Sequence, residues 1–214
     1  MFVCLYGMPG SGKGSQAKIL SEKFDLLHIS TGDLIRDIIK EKKSGYEKLE
    51  EFVVNGKLIP DEIITEILKN YISENYKNKK GILFDGYPRT INQYNLLYDY
   101  VKENFREILH NIYIKTDEEI VKKRILGRRI CSECGKIYNI YNDGDVKKCS
   151  ICREDLIIRK DDSEDIFYKR MKEFNNFTKP LLEFLEIKGN LFSVDGNYIS
   201  IEELSKIIID YLSK

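Results

Sequence analysis

A glycine-rich segment near the amino terminus constrains the fold of this 214-residue chain more than any other feature. The segment GMPGSGKGS, residues 7–15, follows an apolar run at residues 2–6 and precedes a helical pattern at residues 17–24. Glycines let successive backbone N–H groups point toward an anion, and the start of a helix adds a favourable dipole. Lys13 can reach the β- and γ-phosphates of a nucleotide. The segment therefore predicts a phosphate-binding loop between a strand and a helix.

Short apolar runs indicate five β-strands, at residues 2–6, 26–30, 82–85, 111–114 and 191–194. The runs are nearly continuous rather than alternating, which is typical of strands buried on both faces. Helical patterns separate them: one begins near Pro60, and a long one covers residues 163–188, where Pro180 is expected to introduce a bend. Strands that alternate with helices predict an α/β fold with a parallel sheet between layers of helices.

Two stretches do not fit this alternation. Residues 30–59 have helical patterns but no strand, and residues 127–161 are rich in Cys, Gly, Asn and Asp. We predict that both are insertions into one core domain formed by residues 1–29, 60–126 and 162–214.

The second insertion contains two CxxC pairs, Cys131 with Cys134 and Cys149 with Cys152, separated by 14 residues. Four thiolates complete a tetrahedral zinc shell without an open position, so we predict a structural zinc that replaces a hydrophobic core. An iron site is an alternative, because thiolates also suit iron, and disulfides are a second. The remaining Cys4 lies in the first predicted strand, where a small buried hydrophobic residue is expected.

Charge and hydropathy limit the possible partners. Lys and Arg number 35, and Asp and Glu also number 35, so the basic excess of a bulk nucleic-acid binder is missing. No apolar run approaches the roughly 20 residues that span a bilayer, and the amino terminus lacks the pattern of a signal peptide. We expect a cytoplasmic protein without a membrane or nucleic-acid partner. A zinc ribbon that binds nucleic acid stays an alternative, because basic residues surround the cysteines.

Six motifs in order resemble those of the adenylate kinase family. The family has GxPGxGKGT where this chain has GMPGSGKGS, and the likeness continues through STGDLIR, DGYPRT with Gln93, RILGRR, RKDD and Arg170. Over essentially its whole length the chain is similar to the long, zinc-carrying form of the family. The resemblance implies a three-layer P-loop NTPase fold with a five-stranded parallel sheet, a helical AMP-binding insertion at residues 30–59 and a small four-cysteine zinc lid at residues 127–161.

The resemblance implies that arginines hold the phosphates of two nucleotides. Phosphoryl transfer requires positioning and charge neutralisation rather than a covalent nucleophile, and the planar arginine fork binds phosphate in a bidentate manner. By resemblance, Arg36 and Arg89 hold the AMP phosphate. Arg124 and Arg128 contact ATP. Arg159 and Arg170 lie between the two nucleotides, and Asp161 and Asp162 orient the neighbouring arginines.

Lys13 and Asp85 complete the predicted catalytic set. Asp85 ends a buried apolar run, where a carboxylate can hold the hydrated Mg²⁺ that bridges ATP phosphates, although a turn or helix cap is an alternative role. The general pattern GxxxxGK[ST] has a hydroxyl after the lysine, whereas this chain has Gly14 there and Ser15 one residue later.

The resemblance also implies contacts with the bases. For ATP it indicates the phosphate-binding loop, with Arg128 on the phosphates and backbone groups near Ile137, Tyr138 and Tyr198 at the base. The loop residues are Gly10, Ser11, Gly12, Lys13, Gly14 and Ser15. For AMP it indicates Thr31, Arg36, Lys57, Leu58, Ile59, Gly86, Tyr87, Pro88, Arg89, Gln93, Arg159 and Arg170. A cis peptide is expected between Tyr87 and Pro88. His28 and His110 lie outside these motifs and are predicted to be structural.

The implied reaction is the reversible, Mg²⁺-dependent transfer of a phosphoryl group from ATP to AMP, which gives two ADP and serves adenine nucleotide homeostasis. A monomer is expected. UMP, CMP or GMP as the acceptor is the nearest alternative, and ATP binding without turnover is another. Thr31 and Gln93 favour AMP, as does the long lid, whereas the choice between ATP and GTP as donor stays open.

Overall fold

The computed structural model describes residues 1–42, 45–159 and 161–214, and it contains two sheets. The strands are β1 Phe2–Tyr6, β2 Leu27–Ser30, β3 Ile82–Asp85, β4 Leu109–Lys115, β5 Arg128–Cys131, β6 Ile137–Asn139, β7 Leu156–Ile157 and β8 Phe192–Asp195. A five-stranded parallel sheet has the order β2-β3-β1-β4-β8, and a three-stranded antiparallel sheet has the order β6-β5-β7. The predicted five-stranded parallel sheet is confirmed.

Helices cover both faces of the parallel sheet. They are α1 Lys13–Phe24, α2 Thr31–Lys40, α3 Leu49–Val54, α4 Asp61–Asn75, α5 Ile91–Phe105, α6 Glu118–Leu126, α7 Ile140–Asp143, α8 Glu164–Glu173, α9 Lys179–Ile187 and α10 Ile201–Leu212. Apolar side chains of α1 and α10 pack on one face, and those of α4, α5 and α9 pack on the other. The expected three-layer α/β fold is confirmed. Among the described residues, no helix has both the length and the apolar character needed to cross a membrane.

The central strand β1 shows why an unbroken apolar run suits this position. Val3 and Leu5 belong to the core on the α1 side, whereas Phe2, Cys4 and Tyr6 belong to the core on the α4 side. Because alternate side chains of a strand point to opposite faces, both sets must be apolar when both faces are covered. All five residues are buried. Cys4 is a buried thiol, as its position in the run predicted.

The edge strand β8 departs from this pattern. Ser193 and Asp195 are exposed, whereas Val194 is buried. The prediction that every strand is buried on both faces is therefore wrong for β8, because one face of this edge strand, which carries Ser193 and Asp195, is open to solvent. The run at residues 191–194 did place the strand to within one residue.

The long helical pattern before the last strand is observed as three consecutive segments. Ser163 caps α8 by accepting a hydrogen bond from Ile166 N–H at 3.3 Å. A π-helical turn, Phe174–Thr178, joins α8 to α9, and Pro180 lies in the first turn of α9. Proline has no N–H to donate, so it suits a position where the hydrogen-bond pattern restarts.

The two predicted insertions differ in how they pack. Helix α2 buries Ile35 and Ile38 in the same core as α4 and α5, and α3 adds Leu49 to it. The sheet of β5, β6 and β7 instead has a small cluster of its own, formed by buried Cys131, Tyr138 and Cys149. We call residues 127–161 the lid. Lys160 of the lid lies outside the described residues, as do residues 43 and 44 of the first insertion.

Candidate active site

The glycine-rich loop occupies the turn between β1 and α1, as predicted. Gly10 has a φ of +85°, and a Cβ atom there would lie 2.8 Å from the Val121 carbonyl oxygen, so a side chain is excluded. Gly12 is the N-cap of α1 and has no side chain with which to cap the helix. The N–H groups of the first turn of α1 are therefore left for an anion.

Lys13 lies at the centre of the loop. Its Nζ donates hydrogen bonds to the carbonyl oxygens of Gly7 and Met8, at 2.8 and 2.9 Å. Burial lowers the pKa of Lys13 to about 8, an effect that Asp85 opposes and nearby arginines reinforce. A bound phosphate would raise the pKa of Lys13, because it supplies negative charge that stabilises the protonated amine.

A cleft of about 1020 Å³ opens in front of this loop. Nine basic residues line the cleft: Lys13, Lys18, Arg36, Arg89, Arg124, Arg128, Lys136, Arg159 and Arg170. Five acidic residues line it as well: Glu22, Asp33, Asp85, Glu173 and Glu202. All six arginines expected to hold phosphates thus face one cavity, where positive charge exceeds negative charge.

The crowding of these arginines lowers the pKa values of their side chains. Burial and repulsion from Arg89 and Arg128 together lower the pKa of Arg170 to about 10, although Asp161 opposes the shift. Burial also lowers the pKa of Arg89. Arginines still carry their charge at neutral pH under such shifts, so the cleft concentrates positive charge that an anionic ligand would stabilise.

Aspartates hold several of these arginines in place. Arg128 forms a bidentate pair with Asp162, in which its Nε lies 2.7 Å from Oδ2. Asp161 Oδ2 lies 3.3 Å from Arg170 Nη1 and 3.7 Å from Arg36 Nη1. These contacts agree with the expectation that both aspartates orient arginines.

Asp33 is a further partner that sequence reasoning did not assign. Its Oδ1 lies 3.6 Å from Arg159 Nη2 and also pairs with Arg36. It follows Ser30, which caps α2 by accepting from Asp33 N–H at 3.3 Å. An acidic residue in the first turn of a helix is favoured by the helix dipole alone, so no local pattern indicated the ion pairs.

Arg124 contacts backbone rather than a carboxylate. Its Nη2 donates to the carbonyl oxygens of Gly196 and Asn197, both at 3.1 Å. It thereby joins α6 to the loop that follows β8, while its side chain also lines the cleft.

Asp85 lies at the carboxyl end of β3, beside the phosphate-binding loop. A Cβ atom at Gly14 would lie 3.4 Å from Asp85 Oδ2, which shows how closely the carboxylate approaches the start of α1. Ser15 lines the same cleft. A carboxylate and a hydroxyl beside a phosphate site are oxygen ligands of the kind that Mg²⁺ prefers, so these residues fit a hydrated magnesium ion.

His28 also faces this position, although the sequence predicted only a structural role. Its Nε2 lies 4.0 Å from Asp85 Oδ2 and is buried, with no hydrogen-bond partner within the part of the chain that the structure describes. Burial lowers the pKa of His28, so the neutral imidazole is favoured. No motif marks this residue, since it precedes STGDLIR.

A smaller cavity of about 100 Å³ adjoins the cleft. It is lined by most of the residues predicted to contact AMP: Thr31, Arg36, Lys57, Leu58, Ile59, Gly86, Tyr87, Arg89, Gln93 and Arg170. Three arginines, Arg36, Arg89 and Arg170, line both cavities. Two anionic ligands in the two cavities would therefore share these side chains.

Local backbone geometry shapes the smaller cavity. The Tyr87–Pro88 peptide is cis, as predicted, and Pro88 lines the larger cleft. Gly86 has a φ of +83°, and a Cβ atom there would lie 2.8 Å from Thr31 Oγ1. Thr31 Oγ1 donates to the Asp85 carbonyl oxygen at 3.3 Å, which holds the start of α2 against the end of β3.

The four predicted metal ligands of the lid converge. The Sγ atoms of Cys131, Cys134, Cys149 and Cys152 all lie within 4.8 Å of one another. Tetrahedral zinc with bonds of about 2.3 Å holds its sulfurs about 3.8 Å apart, so the cluster fits one ion. The Tyr138 hydroxyl donates to Cys149 Sγ at 3.3 Å, and this bond, together with backbone N–H donors, lowers the pKa of the Cys149 thiol to about 5. Hydrogen bonds of this kind stabilise the thiolate that a metal requires.

A family model described as adenylate kinase matches residues 5–190. The chain belongs to the adenylate kinase family. Its relatives named adenylate kinase include one from Acetivibrio thermocellus, 41% identical across all of this chain and 98% of the relative. Another, from Chloroherpeton thalassium, is 40% identical with the same coverage, and one from Fervidobacterium nodosum is 38% identical over 99% of this chain and 97% of the relative. The resemblance in the motifs is thus confirmed at the level of the family.

We predicted that this member of the adenylate kinase family uses backbone groups near Ile137, Tyr138 and Tyr198 to contact the ATP base. These three residues lie in different surroundings. Ile137 lines the cleft. The Tyr138 side chain is buried in the lid, where its hydroxyl contacts Cys149 and Ser150. Tyr198 is 94% exposed and is not among the residues that line the cleft, whereas the next residue, Ile199, lines it. Residues of both segments, Ile137 and Ile199, thus line the cleft. The contact of backbone groups in these segments with the ATP base stays a prediction.

Proposed function

We propose that this chain catalyses the reversible transfer of the terminal phosphoryl group of Mg·ATP to AMP, which gives two molecules of ADP. One observation carries the proposal: the phosphate-binding loop and all six motif arginines line one cleft, and three of those arginines also line the adjoining smaller cavity. Family membership supports the same reaction, because the relatives described above are named adenylate kinase.

ATP would occupy the larger cleft. The N–H groups of the loop from Gly10 to Ser15 would hold its β- and γ-phosphates, with Lys13 as a point charge between them. Arg124 and Arg128 would contact the same phosphates, and backbone near Ile137 would contact the base.

AMP would occupy the smaller cavity. Arg36 and Arg89 would hold its phosphate, while Thr31 and Gln93 would contact the base. The segment of residues 57–59 closes this cavity and is held by a hydrogen bond from Leu58 N–H to Glu173 Oε2, at 3.1 Å. Glu173 is another residue that no motif indicated.

The two nucleotides would then meet among Arg89, Arg159 and Arg170. An AMP phosphate oxygen attacks the γ-phosphorus as the bond from that phosphorus to the β-phosphate oxygen breaks. The attacking oxygen is already ionised, so no side chain needs to accept a proton. The arginines lower the barrier because they neutralise charge that spreads over the transferred group.

Asp85 would hold Mg²⁺ through its water shell, and Ser15 offers a second oxygen beside it. The ion, when bound with ATP, would supply positive charge that offsets the charge of the phosphates. Binding of magnesium with ATP would therefore depend on Asp85.

The domain division has a functional reason in this scheme. Residues 1–29, 60–126 and 162–214 form the core, residues 30–59 close over AMP, and the lid closes over ATP. Closure excludes water, which would otherwise accept the phosphoryl group. A structural zinc on the four cysteines would keep the lid folded. We propose that the protein is a monomer and works in the cytoplasm, where cysteines stay reduced.

The acceptor is tested with a panel of nucleoside monophosphates. Purified enzyme with Mg·ATP is expected to phosphorylate AMP with a kcat/KM about tenfold or more above that for UMP, CMP or GMP, since single base contacts are worth a factor of that order. A coupled assay for each monophosphate measures this. A tenfold preference for UMP over AMP would replace AMP as the acceptor while leaving the phosphoryl-transfer chemistry in place.

A further inference from the structure

The side-chain amide of Gln93 has a fixed orientation. Gln93 is 3% exposed and lines the smaller cavity. Its Oε1 accepts from Arg89 N–H at 2.7 Å, and its Nε2 donates to Asp61 Oδ1, also at 2.7 Å. A backbone N–H can only donate and a carboxylate can only accept, so these partners exclude the flipped amide.

Asp61 is itself held firmly. Its second oxygen, Oδ2, accepts from Asn92 Nδ2 at 2.8 Å and from Thr90 Oγ1 at 3.2 Å. Thr90 caps α5 by accepting from Gln93 N–H at 3.0 Å. The carboxylate at the start of α4 therefore receives three hydrogen bonds from the segment that begins α5, which fixes it relative to Gln93.

Among the residues that the structure describes, the oxygen and the nitrogen of the Gln93 amide each have one partner, which leaves one further hydrogen-bonding position at each end. The oxygen has a second lone pair and the nitrogen a second hydrogen, so the amide offers an acceptor beside a donor. Adenine presents a 6-amino donor beside the N1 acceptor, which matches this pair. A 6-oxo purine presents an acceptor beside an N1–H donor, which opposes it at both atoms. Cytosine presents the same donor and acceptor pattern as adenine, and uracil presents the same pattern as guanine, which is a 6-oxo purine.

We infer that Asp61 is a positioning residue that makes the acceptor site select amino nucleobases over oxo nucleobases, because it fixes the orientation of the Gln93 amide. The inference rests on the proposed function, since it names the class of base that the AMP site accepts. Asp61 touches no substrate in this scheme, and it acts through Gln93.

The test compares AMP with IMP, which differ only at the edge in question. For the unaltered enzyme we expect kcat/KM for AMP to exceed that for IMP by about 100-fold or more, because two mismatched hydrogen bonds are involved. Asp61→Asn replaces the obligate acceptor by a group that can donate or accept, and Asp61→Ala removes the partner. Both are expected to reduce the AMP/IMP ratio by about tenfold, a change that falls on KM rather than kcat.

Asn92→Ala is the matched control. It removes one donor to Asp61 Oδ2 but leaves both hydrogen bonds of Gln93 intact. Its AMP/IMP ratio is expected to stay within about twofold of the unaltered enzyme, as for a change without direct coupling to the base. A general loosening of the fold would lower activity with both monophosphates equally, and it would not change the ratio.

An unchanged ratio in both Asp61 variants would overturn the inference, even if AMP proves to be the acceptor. If neither variant folds, calorimetric Kd values of the unaltered enzyme test the fixed orientation of Gln93 on which the inference depends: equal affinities for AMP and IMP contradict the inference. Failure to phosphorylate any monophosphate would instead remove the proposed function, while the Kd comparison would still test the orientation of Gln93.

Discussion

Replacement of Lys13 by methionine is expected to lower kcat/KM for Mg·ATP by about a thousandfold, because removal of one preorganised charge from a transition state costs two to three orders of magnitude. Methionine keeps the length and apolar stem of lysine but removes the ammonium group. That group is the cation at the centre of the loop, where burial lowers its pKa to about 8. Steady-state kinetics with saturating AMP measure the loss.

The control is Lys23→Met, which removes an exposed lysine in the last turn of the same helix. It is expected to retain full activity, and circular dichroism should show both variants to be folded. Should Lys13→Met keep more than about a tenth of the activity, the loop would not be the site where the transferred phosphate is held.

Removal of the metal is expected to unfold the lid while the parallel sheet stays folded. The lid has a core of only three buried side chains, Cys131, Tyr138 and Cys149. Structural zinc contributes apparent binding free energies of roughly 10–16 kcal/mol in zinc-finger peptides, far more than so small a core can supply. Hydrogen exchange after chelation should show loss of protection in β5, β6 and β7, with protection retained in β1 and β3.

Cys149→Ser should reproduce the effect of chelation, because it removes one of four ligands. Cys4→Ala is the matched control: Cys4 is buried in β1 and lies outside the cluster, so its loss should leave the metal content unchanged. Elemental analysis of native protein is expected to give about one zinc per chain, the stoichiometry of a single four-thiolate site. Iron, or a lid that keeps its protection without metal, would contradict the assignment.

The parts of the fold that the sequence predicted are those fixed by local chemistry. The spacing of glycines around Lys13 requires a loop between strand and helix, and the observed φ of Gly10 is one that glycine tolerates. The spacing of the cysteines likewise anticipated a cluster, because each CxxC pair brings two thiols together within a short loop. The run from Phe2 to Tyr6 placed the central strand correctly, since a strand covered on both faces needs an unbroken apolar sequence.

The parts that the sequence did not predict depend on contacts between distant segments. The pairing of Arg36 with Asp161 joins α2 to the end of the lid, and no local pattern specifies it. The hydrogen bond between Asp61 and Gln93 likewise joins two helices, and Asp61 alone is indistinguishable from an acidic residue that suits a helix start. Tyr198 lies beyond the last family motif, and its side chain is exposed. The predicted contact of backbone near Tyr198 with ATP therefore stays a prediction.

The stoichiometry of the products tests whether the enzyme transfers a phosphoryl group between two nucleotides. Purified enzyme is mixed with Mg·ATP and AMP, and all phosphorus species are followed by ³¹P NMR. We predict that ATP and AMP disappear in equal amounts, that two ADP form for each pair, and that the same mixture is reached from Mg·ADP alone. Release of inorganic phosphate with AMP unchanged, or no reaction in either direction, would contradict this function.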